Sequence, residues 1–221
     1  MIKTLYYKLK RRLSKDWHRA GVGGMWDQIG QLQFEFLVDR GLLPEHFFLD
    51  IGCGSLRAGV HFIKYLRNGH YYGIEKEKSL LQAGLDIEMK RYGLEHKSVN
   101  LLLVDDFDLS GIRKEIEFDF MLAQSVFTHL TPEVISTCLM RVLPRLKETG
   151  TFYATFNESE NSEINNGRPH PWRKSERSQT NYPFALFQQL AEKADCYVDY
   201  IGNWGHPRNQ KMLAFRRSRK G

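Results

Sequence analysis

From residue 47 onward, short apolar runs alternate with stretches whose apolar residues recur at a helical period. The apolar runs predict seven strands, at 47–51, 70–75, 99–104, 118–123, 150–156, 195–202 and 210–216. The helical period predicts helices at about 56–67, 78–91, 110–115, 132–146 and 182–193. This alternation is typical of a parallel sheet, so we predict a doubly wound α/β fold. A hairpin at 204–209 joins the last two strands, which makes the sheet mostly parallel.

A separate helical pattern precedes the sheet. Residues 1–19 carry apolar side chains at a helical period and basic side chains on the opposite face. Such a helix either packs on the domain with its basic face in water, which we favour, or lies on an anionic membrane surface. Residues 21–24 form a glycine-rich break, and a second helix is predicted from Trp26 to Arg40. The predicted units are an N-terminal extension (1–24), a main domain (25–217) with a lid-like polar insertion (157–180), and a basic tail (218–221).

Composition and charge narrow the classes to which the chain can belong. With 221 residues, 42% of them hydrophobic, it can bury a large core as one domain of ordinary size. No apolar run reaches the roughly 18 residues that a membrane-spanning helix needs, and we expect no secretory signal. Three cysteines without metal-ligand spacing favour a reduced, cytoplasmic setting. The net charge of +6 permits an anionic partner, but much of the basic excess is at the two termini.

The strongest candidate for chemistry is the turn after the first predicted strand. It contains Gly52-Cys53-Gly54, and two glycines allow positive φ and a close approach of a ligand to the backbone. The second strand ends at Glu75, 21 residues after Gly54, and an acid at that distance hydrogen-bonds ribose hydroxyls in doubly wound folds. Arg57 stands where a dinucleotide fingerprint has its third glycine, and no phosphate-binding loop motif occurs. The ligand is therefore predicted to contain a nucleoside without being NAD, FAD or a nucleoside triphosphate.

The stretch Leu49-Asp50-Ile51-Gly52-Cys53-Gly54 resembles the first motif of class I S-adenosylmethionine-dependent methyltransferases. The resemblance covers roughly residues 26–217. It implies that family's Rossmann-like sheet of seven strands, in which the last strand is antiparallel, and S-adenosyl-L-methionine as the cofactor. At the glycine turn it implies cofactor contacts from Asp50, Gly52, Cys53 and Gly54. In the family, the acid that ends the second strand binds the ribose hydroxyls, and Glu75 has that position.

The resemblance also points to the residues after the third strand. In the family, an acid there accepts a hydrogen bond from the adenine amino group. Asp106 is our first choice, because the aromatic Phe107 that follows can flank the adenine, and Asp105 is the second. The alternative role for either aspartate is to cap a turn or helix start.

After the fourth strand, Gln124 and Ser125 are expected to contact the cofactor through backbone groups, since open α/β sheets bind ligands at strand ends. His129 has a family active-site position and is predicted to be the general base. Its alternative role is to pack the loop.

Acceptor contacts must come from segments outside the sheet. Trp26 and Gln31 in the second helix are candidates to close over the cofactor. His170 and Trp172 in the polar insertion, and His206 and Arg208 in the last hairpin, are candidates to contact the acceptor. For each of these residues a solvated surface position is the alternative.

Absent motifs disfavour several kinds of methyltransferase. No Asn/Asp-Pro-Pro-Tyr/Phe follows the fourth strand, which argues against amino-methyltransferases of adenine and glutamine. No Pro-Cys for cytosine C5 chemistry is present there, and no acidic metal-binding triad is visible, so we expect no metal.

The predicted function is S-adenosylmethionine-dependent O-methylation of a sugar or other hydroxylated small molecule, by in-line transfer. One alternative is an RNA or protein methyltransferase, which is disfavoured because basic residues do not interleave with aromatic ones. Another is a non-catalytic cofactor-binding subunit of a biosynthetic complex. The acceptor and the oligomeric state are left open.

Overall fold

The computed structural model describes residues 16–159, 164–166 and 179–218. The strands are β1 (Phe48–Ile51), β2 (Tyr71–Glu75), β3 (Asn100–Leu103), β4 (Phe118–Ala123), β5 (Leu146–Glu158), β6 (Asn165–Asn166), β7 (Thr180–Tyr182), β8 (Cys196–Asn203) and β9 (Lys211–Arg217). The α-helices are α1 (Trp17–Gly21), α2 (Trp26–Asp39), α3 (Gly59–Tyr65), α4 (Lys78–Ala83), α5 (Pro132–Val142) and α6 (Phe184–Lys193). Helix α4 continues through a π-helical segment (Gly84–Glu88) and a last turn (Met89–Arg91).

The main sheet has the strand order β3-β2-β1-β4-β5-β9-β8. Strands β1 to β5 pair in parallel, and β9 is antiparallel to both β5 and β8. The prediction of a doubly wound, mostly parallel sheet with an antiparallel last strand is thus confirmed. From β1 the strands are added in one direction through β2 and β3, and then in the other direction through β4 and β5. The order therefore switches between β1 and β4, and such sheets bind ligands at the carboxyl ends of the strands at this switch point.

Helices cover both faces of the sheet. On one face, α5 and α6 pack Leu139 and Phe187 against the strands, in a core that also holds Phe118 and Phe152. On the other face, the core includes residues of α2 and α3. Because both faces are apolar, β1 is buried throughout and lacks the alternation of a half-exposed strand.

The structure departs from the sequence pattern at two places. The helix predicted at 110–115 is wrong: these residues form turns, and the Arg145 guanidinium donates to the carbonyls of Ile112, Arg113 and Ile116. The polar insertion 157–180 has no strand pattern in its sequence, yet it holds β6 and the start of β7, which pair with each other, and β7 pairs with β5. These strands are polar and very short, so periodicity could not reveal them.

Helix α1 is held on the domain by a buried carboxylate. Glu88 accepts hydrogen bonds from His18 at 2.5 Å, from Arg19 at 2.9 and 2.7 Å, and from Arg91 at 2.9 Å. Burial alone would raise the pKa of Glu88, but the hydrogen bonds from Arg19 and His18 lower it below its ordinary value. Residues 16–24, which we name the N-terminal cover, are therefore fixed to α4 by a charged cluster.

The predicted amphipathic helix over 1–19 lies mostly outside the described residues, and its contact with a membrane stays a prediction. In the part of the chain that the structure describes, no helix combines the length and apolarity that crossing a bilayer requires. Asp16, His18 and Glu88 bring ligand atoms within 4.8 Å of one another, but Arg19 and Arg91 bind the Glu88 oxygens that a cation would need.

Candidate active site

Two glycines shape the turn after β1. Gly52 and Gly54 have φ of 71° and 56°, in the left-handed region. A Cβ on Gly52 would lie 2.7 Å from the Val126 side chain, and a Cβ on Gly54 would lie 2.5 Å from Val22 Cγ1. Only glycine therefore fits at either position. The contact with Val22 also shows that the N-terminal cover lies directly on the turn.

A third residue of this turn, Leu56, also adopts a left-handed conformation, with φ of 69°. Its side chain is fully buried and packs where Gly59 and Gly84 lack side chains; a Cβ on either would lie 2.9 Å from it. The sequence pattern around Arg57 does not indicate the left-handed conformation of Leu56. The small residues at 59 and 84 were the available signal, but they lie on two helices whose packing the sequence does not show.

Asp50 and Cys53 lie beneath the turn and are buried. Burial raises the pKa of Asp50 to about 7, while its Oδ2 accepts a 2.8 Å hydrogen bond from the Tyr71 hydroxyl. Burial also raises the pKa of the Cys53 thiol well above its ordinary value. Cys53 is thus a packed thiol rather than a nucleophile. Both residues support the turn from below.

Glu75 is held in place by backbone donors. Its Oε2 accepts from the Gly54 N–H at 2.9 Å, and its Oε1 accepts from the N–H groups of Lys76 and Glu77 at 2.9 and 2.8 Å. A carboxylate has about four acceptor positions, so these three bonds leave capacity on Oε2, the oxygen beside the turn. A fixed, partly exposed acid with an unused acceptor fits the hydroxyls of a ribose.

The two aspartates after β3 differ in their surroundings. Asp106, the first choice for the adenine contact, forms an ion pair with Arg141 of α5 and accepts from the Asp108 N–H at 3.2 Å. The hydrogen bond from Arg141 lowers the pKa of Asp106. Asp105 is exposed and forms no ion pair with any residue in the described part of the chain. Phe107 has a φ of 63° and packs partly against the core. Of the two, Asp105 has its carboxylate available to a ligand.

Gln124 and Ser125, at the end of β4, belong to a polar network that we define as Gln124, Ser125, Thr155, His206 and Gln210. The Gln124 Nε2 donates to Ser125 Oγ at 2.6 Å and lies 3.2 Å from His206 Nε2. Gln210 Oε1 accepts from the hydroxyls of Ser125 and Thr155 at 3.0 and 2.9 Å. These bonds join the carboxyl ends of β4 and β5 to the start of β9.

Of the three histidines predicted for the site, His129 and His206 lie among the described residues, and their environments differ. His206 is buried, stacks on Trp204, and has its pKa lowered to about 4 by burial and by the positive charges of Arg208 and Arg57. It is therefore neutral near pH 7. His129 is exposed at the end of a 3₁₀ turn (Phe127–His129), where its N–H donates to Val126 O at 3.0 Å.

Arg57 is a site residue that sequence reasoning treated only as an exception to the dinucleotide fingerprint. Its guanidinium is buried and donates to the carbonyls of Val22 and Gly24 at 2.8 and 3.1 Å, and to Gln124 Oε1 at 2.5 Å. Arg208, a predicted acceptor contact, also donates to the N-terminal cover, at Gly23 O. No local pattern links residues 22–24 to either arginine.

For the remaining predicted site residues, the structure describes no contact with the glycine turn or the polar network. Trp26 is buried and donates to the Tyr92 hydroxyl at 3.0 Å, with the Arg19 guanidinium over its ring. Gln31 is exposed and donates to Glu35 on its own helix. His170 and Trp172 lie outside the described residues.

Comparisons with known proteins agree with this geometry. Residues 49–152 match the model of a family described as a methyltransferase domain. A crystal structure of an S-adenosylmethionine-dependent methyltransferase from Clostridium acetobutylicum ATCC 824 is similar, with a TM-score of 0.64 and 12% identity over 96% of this chain and 99% of that chain.

Two further solved structures share the fold. The magnesium protoporphyrin IX methyltransferase ChlM from Synechocystis PCC 6803, solved with bound SAM, has a TM-score of 0.60 and 14% identity over 86% of this chain and 81% of that one. The mitomycin 7-O-methyltransferase MmcR has a TM-score of 0.61 and 15% identity over 85% of this chain and 54% of that one.

The family match covers the glycine turn, Glu75 and the ends of β3 and β4, where the geometry fits a ribose-containing ligand. The chain thus contains a methyltransferase domain with the fold of S-adenosylmethionine-dependent methyltransferases, and S-adenosyl-L-methionine is its cofactor.

Proposed function

We propose that this enzyme methylates an oxygen of a small hydroxylated molecule, such as a sugar. The observation that carries the proposal is the polar network at the ends of β4 and β5, because its amides, hydroxyls and neutral imidazole suit an acceptor rich in hydroxyl groups. MmcR, which shares the fold, is an O-methyltransferase of a small molecule.

The cofactor would supply a methyl group on a cationic sulfur. The protein's part is to hold two reactants in line, which is worth on the order of 7–11 kcal/mol of the barrier. We assign Glu75 to the hydroxyls of the ribose, and the glycine turn to the part of the cofactor that continues from the ribose. For the adenine amino group we assign Asp105 rather than Asp106, because Arg141 pairs with the Asp106 carboxylate.

His129 is proposed as the general base that takes the proton of the acceptor hydroxyl. Its support is its place one 3₁₀ turn after Val126, whose side chain packs against Gly52 of the glycine turn. The exposure of His129 lets an acceptor approach it and lets the proton pass on to water. His206, held neutral and engaged with Gln124, is assigned to orienting the acceptor.

The test is transfer of a radiolabelled methyl group from S-adenosylmethionine to a panel of sugars, small phenols, RNA and protein. Incorporation into a sugar or phenol, lost in His129→Ala, is the expected result. Incorporation into RNA or protein alone would contradict the proposal and support a macromolecular acceptor. Tight cofactor binding without transfer to any class would support a non-catalytic binding subunit.

A further inference from the structure

The glycine turn contains one charged group that the proposed function leaves unexplained. Arg57 is 7% exposed, and every hydrogen-bond acceptor it uses is a neutral oxygen, on Val22, Gly24 or Gln124. Among the residues that the structure describes, no carboxylate forms an ion pair with it. Buried charges in proteins are normally paired, because desolvation of an isolated ion is costly.

One atom of this guanidinium is unsatisfied. The Nε of Arg57 is buried and has no hydrogen-bond partner. An arginine presents donors as a planar fork that matches the two oxygens of a carboxylate. The charge of Asp50 acts on Arg57 without forming an ion pair with it. The unused Nε–H, with no carboxylate in contact among the described residues, indicates a ligand carboxylate as the missing partner.

The position of Arg57 indicates which end of the ligand it faces. The strand order β3-β2-β1-β4 places Asp105, Glu75, the glycine turn and Gln124 in sequence along the carboxyl edge of the sheet. With adenine at Asp105 and ribose at Glu75, the chain of the ligand that continues from the ribose crosses β1 toward β4. Arg57 bonds Gln124 at this far end.

We infer that Arg57 binds the carboxylate of the methionine half of the cofactor, an inference that rests on the nucleoside placement in the proposed function. An anionic group on the acceptor is the other source of the same chemistry. Nε is buried, and Nη1 of the same guanidinium binds the carbonyls of Val22 and Gly24, so the N-terminal cover shifts when the carboxylate reaches Nε. Arg57 then joins the cover, the cofactor and Gln124.

The test compares two ligands of the intact protein by calorimetry. S-adenosylhomocysteine carries the amino-acid carboxylate, whereas 5′-methylthioadenosine has the same nucleoside thioether without the amino acid. The measured quantity is the ratio of their dissociation constants in wild type, Arg57→Met and Arg57→Lys. Arg141→Met is the matched control, because it removes a guanidinium at the opposite, adenine end of the site.

Arg57→Met is expected to weaken the binding of S-adenosylhomocysteine by about 10- to 100-fold, as for loss of a charged hydrogen-bonded pair. The binding of methylthioadenosine should change by no more than a few-fold. Arg57→Lys should recover part of the preference, and Arg141→Met should leave it intact. If the ratio of the two dissociation constants in Arg57→Met equals that in wild type, the inference is overturned. This includes the case in which the binding of both ligands weakens equally because the site is disturbed.

An unchanged ratio with a raised KM for the acceptor would assign the carboxylate to the acceptor instead. The inference and the proposed function can fail separately. If Arg57→Met loses the preference for S-adenosylhomocysteine but no hydroxylated acceptor is methylated, only the proposed function is contradicted.

Discussion

The contact between the N-terminal cover and the glycine turn predicts the effect of Gly54→Ala. The new Cβ would lie 2.5 Å from Val22 Cγ1, about 1 Å closer than ordinary contact allows, and φ is positive. Left-handed backbone costs roughly 1–2 kcal/mol for a residue with a Cβ, and forced overpacking typically costs roughly 1–3 kcal/mol more. We expect Gly54→Ala to lower the free energy of unfolding by about 2–5 kcal/mol and to weaken cofactor binding.

Gly93→Ala is the matched control, because φ there is 66° and a Cβ would meet nothing within 4 Å. It should show the backbone cost alone. Unfolding in urea gives both values, and Val22→Ala completes a double-mutant cycle. Val22→Ala should recover part of the loss in Gly54→Ala, with a coupling of about 0.5–3 kcal/mol. Equal losses in the two glycine variants and zero coupling would refute the packing of the cover on the turn.

Three further outcomes are expected. Because burial raises the pKa of Asp50 to about 7, the folded state favours its protonated form. The free energy of unfolding of wild type should therefore fall by up to about 4 kcal/mol relative to Asp50→Asn as pH rises from 4 to 8. The same pH dependence in wild type and Asp50→Asn would contradict this. Glu88→Gln should lower the free energy of unfolding in urea by about 3–5 kcal/mol and expose the N-terminal cover to protease, since His18, Arg19 and Arg91 lose their carboxylate partner; a loss below about 1 kcal/mol would contradict the role of this charged cluster. His129→Ala should lower kcat by roughly 10²–10⁴-fold while cofactor affinity is unchanged, and kcat of wild type should fall at acid pH as the imidazole protonates. If His129→Ala turns over normally and His206→Ala is inactive, the general base is His206 instead.

The parts of the fold that depend on local pattern were predictable from sequence. Strands β1 and β4 are apolar runs that a single aspartate interrupts, and the glycine turn and Glu75 follow from spacing along the chain. The helix expected at 110–115 is absent from the structure, where Arg145, distant in sequence, binds carbonyls of this segment. The pairing of Asp106 with Arg141 on α5 is likewise a tertiary contact.

The N-terminal cover is a second feature of the site that local sequence pattern does not reveal. Residues 21–24 look locally like a flexible break, because glycine permits many conformations. Their carbonyls are bound by Arg57 and Arg208, which are distant in sequence. Leu56 in a left-handed conformation was unexpected for the same reason, since its packing depends on Gly84 of another helix. Long-range contacts, rather than propensities, decide these features.

The most direct test of the account is calorimetric titration of S-adenosylmethionine into wild type, Glu75→Ala and the control Glu95→Ala, an exposed acid outside the site. Wild type and Glu95→Ala should bind one equivalent, and a hundredfold excess of cofactor over Kd should stabilise the fold by about 2.7 kcal/mol. Glu75→Ala should lose most of this affinity, because the hydroxyls of the ribose lose a carboxylate acceptor. Undiminished binding by Glu75→Ala, or stabilisation of wild type by NADH but not by S-adenosylmethionine, would contradict the assignment of the site.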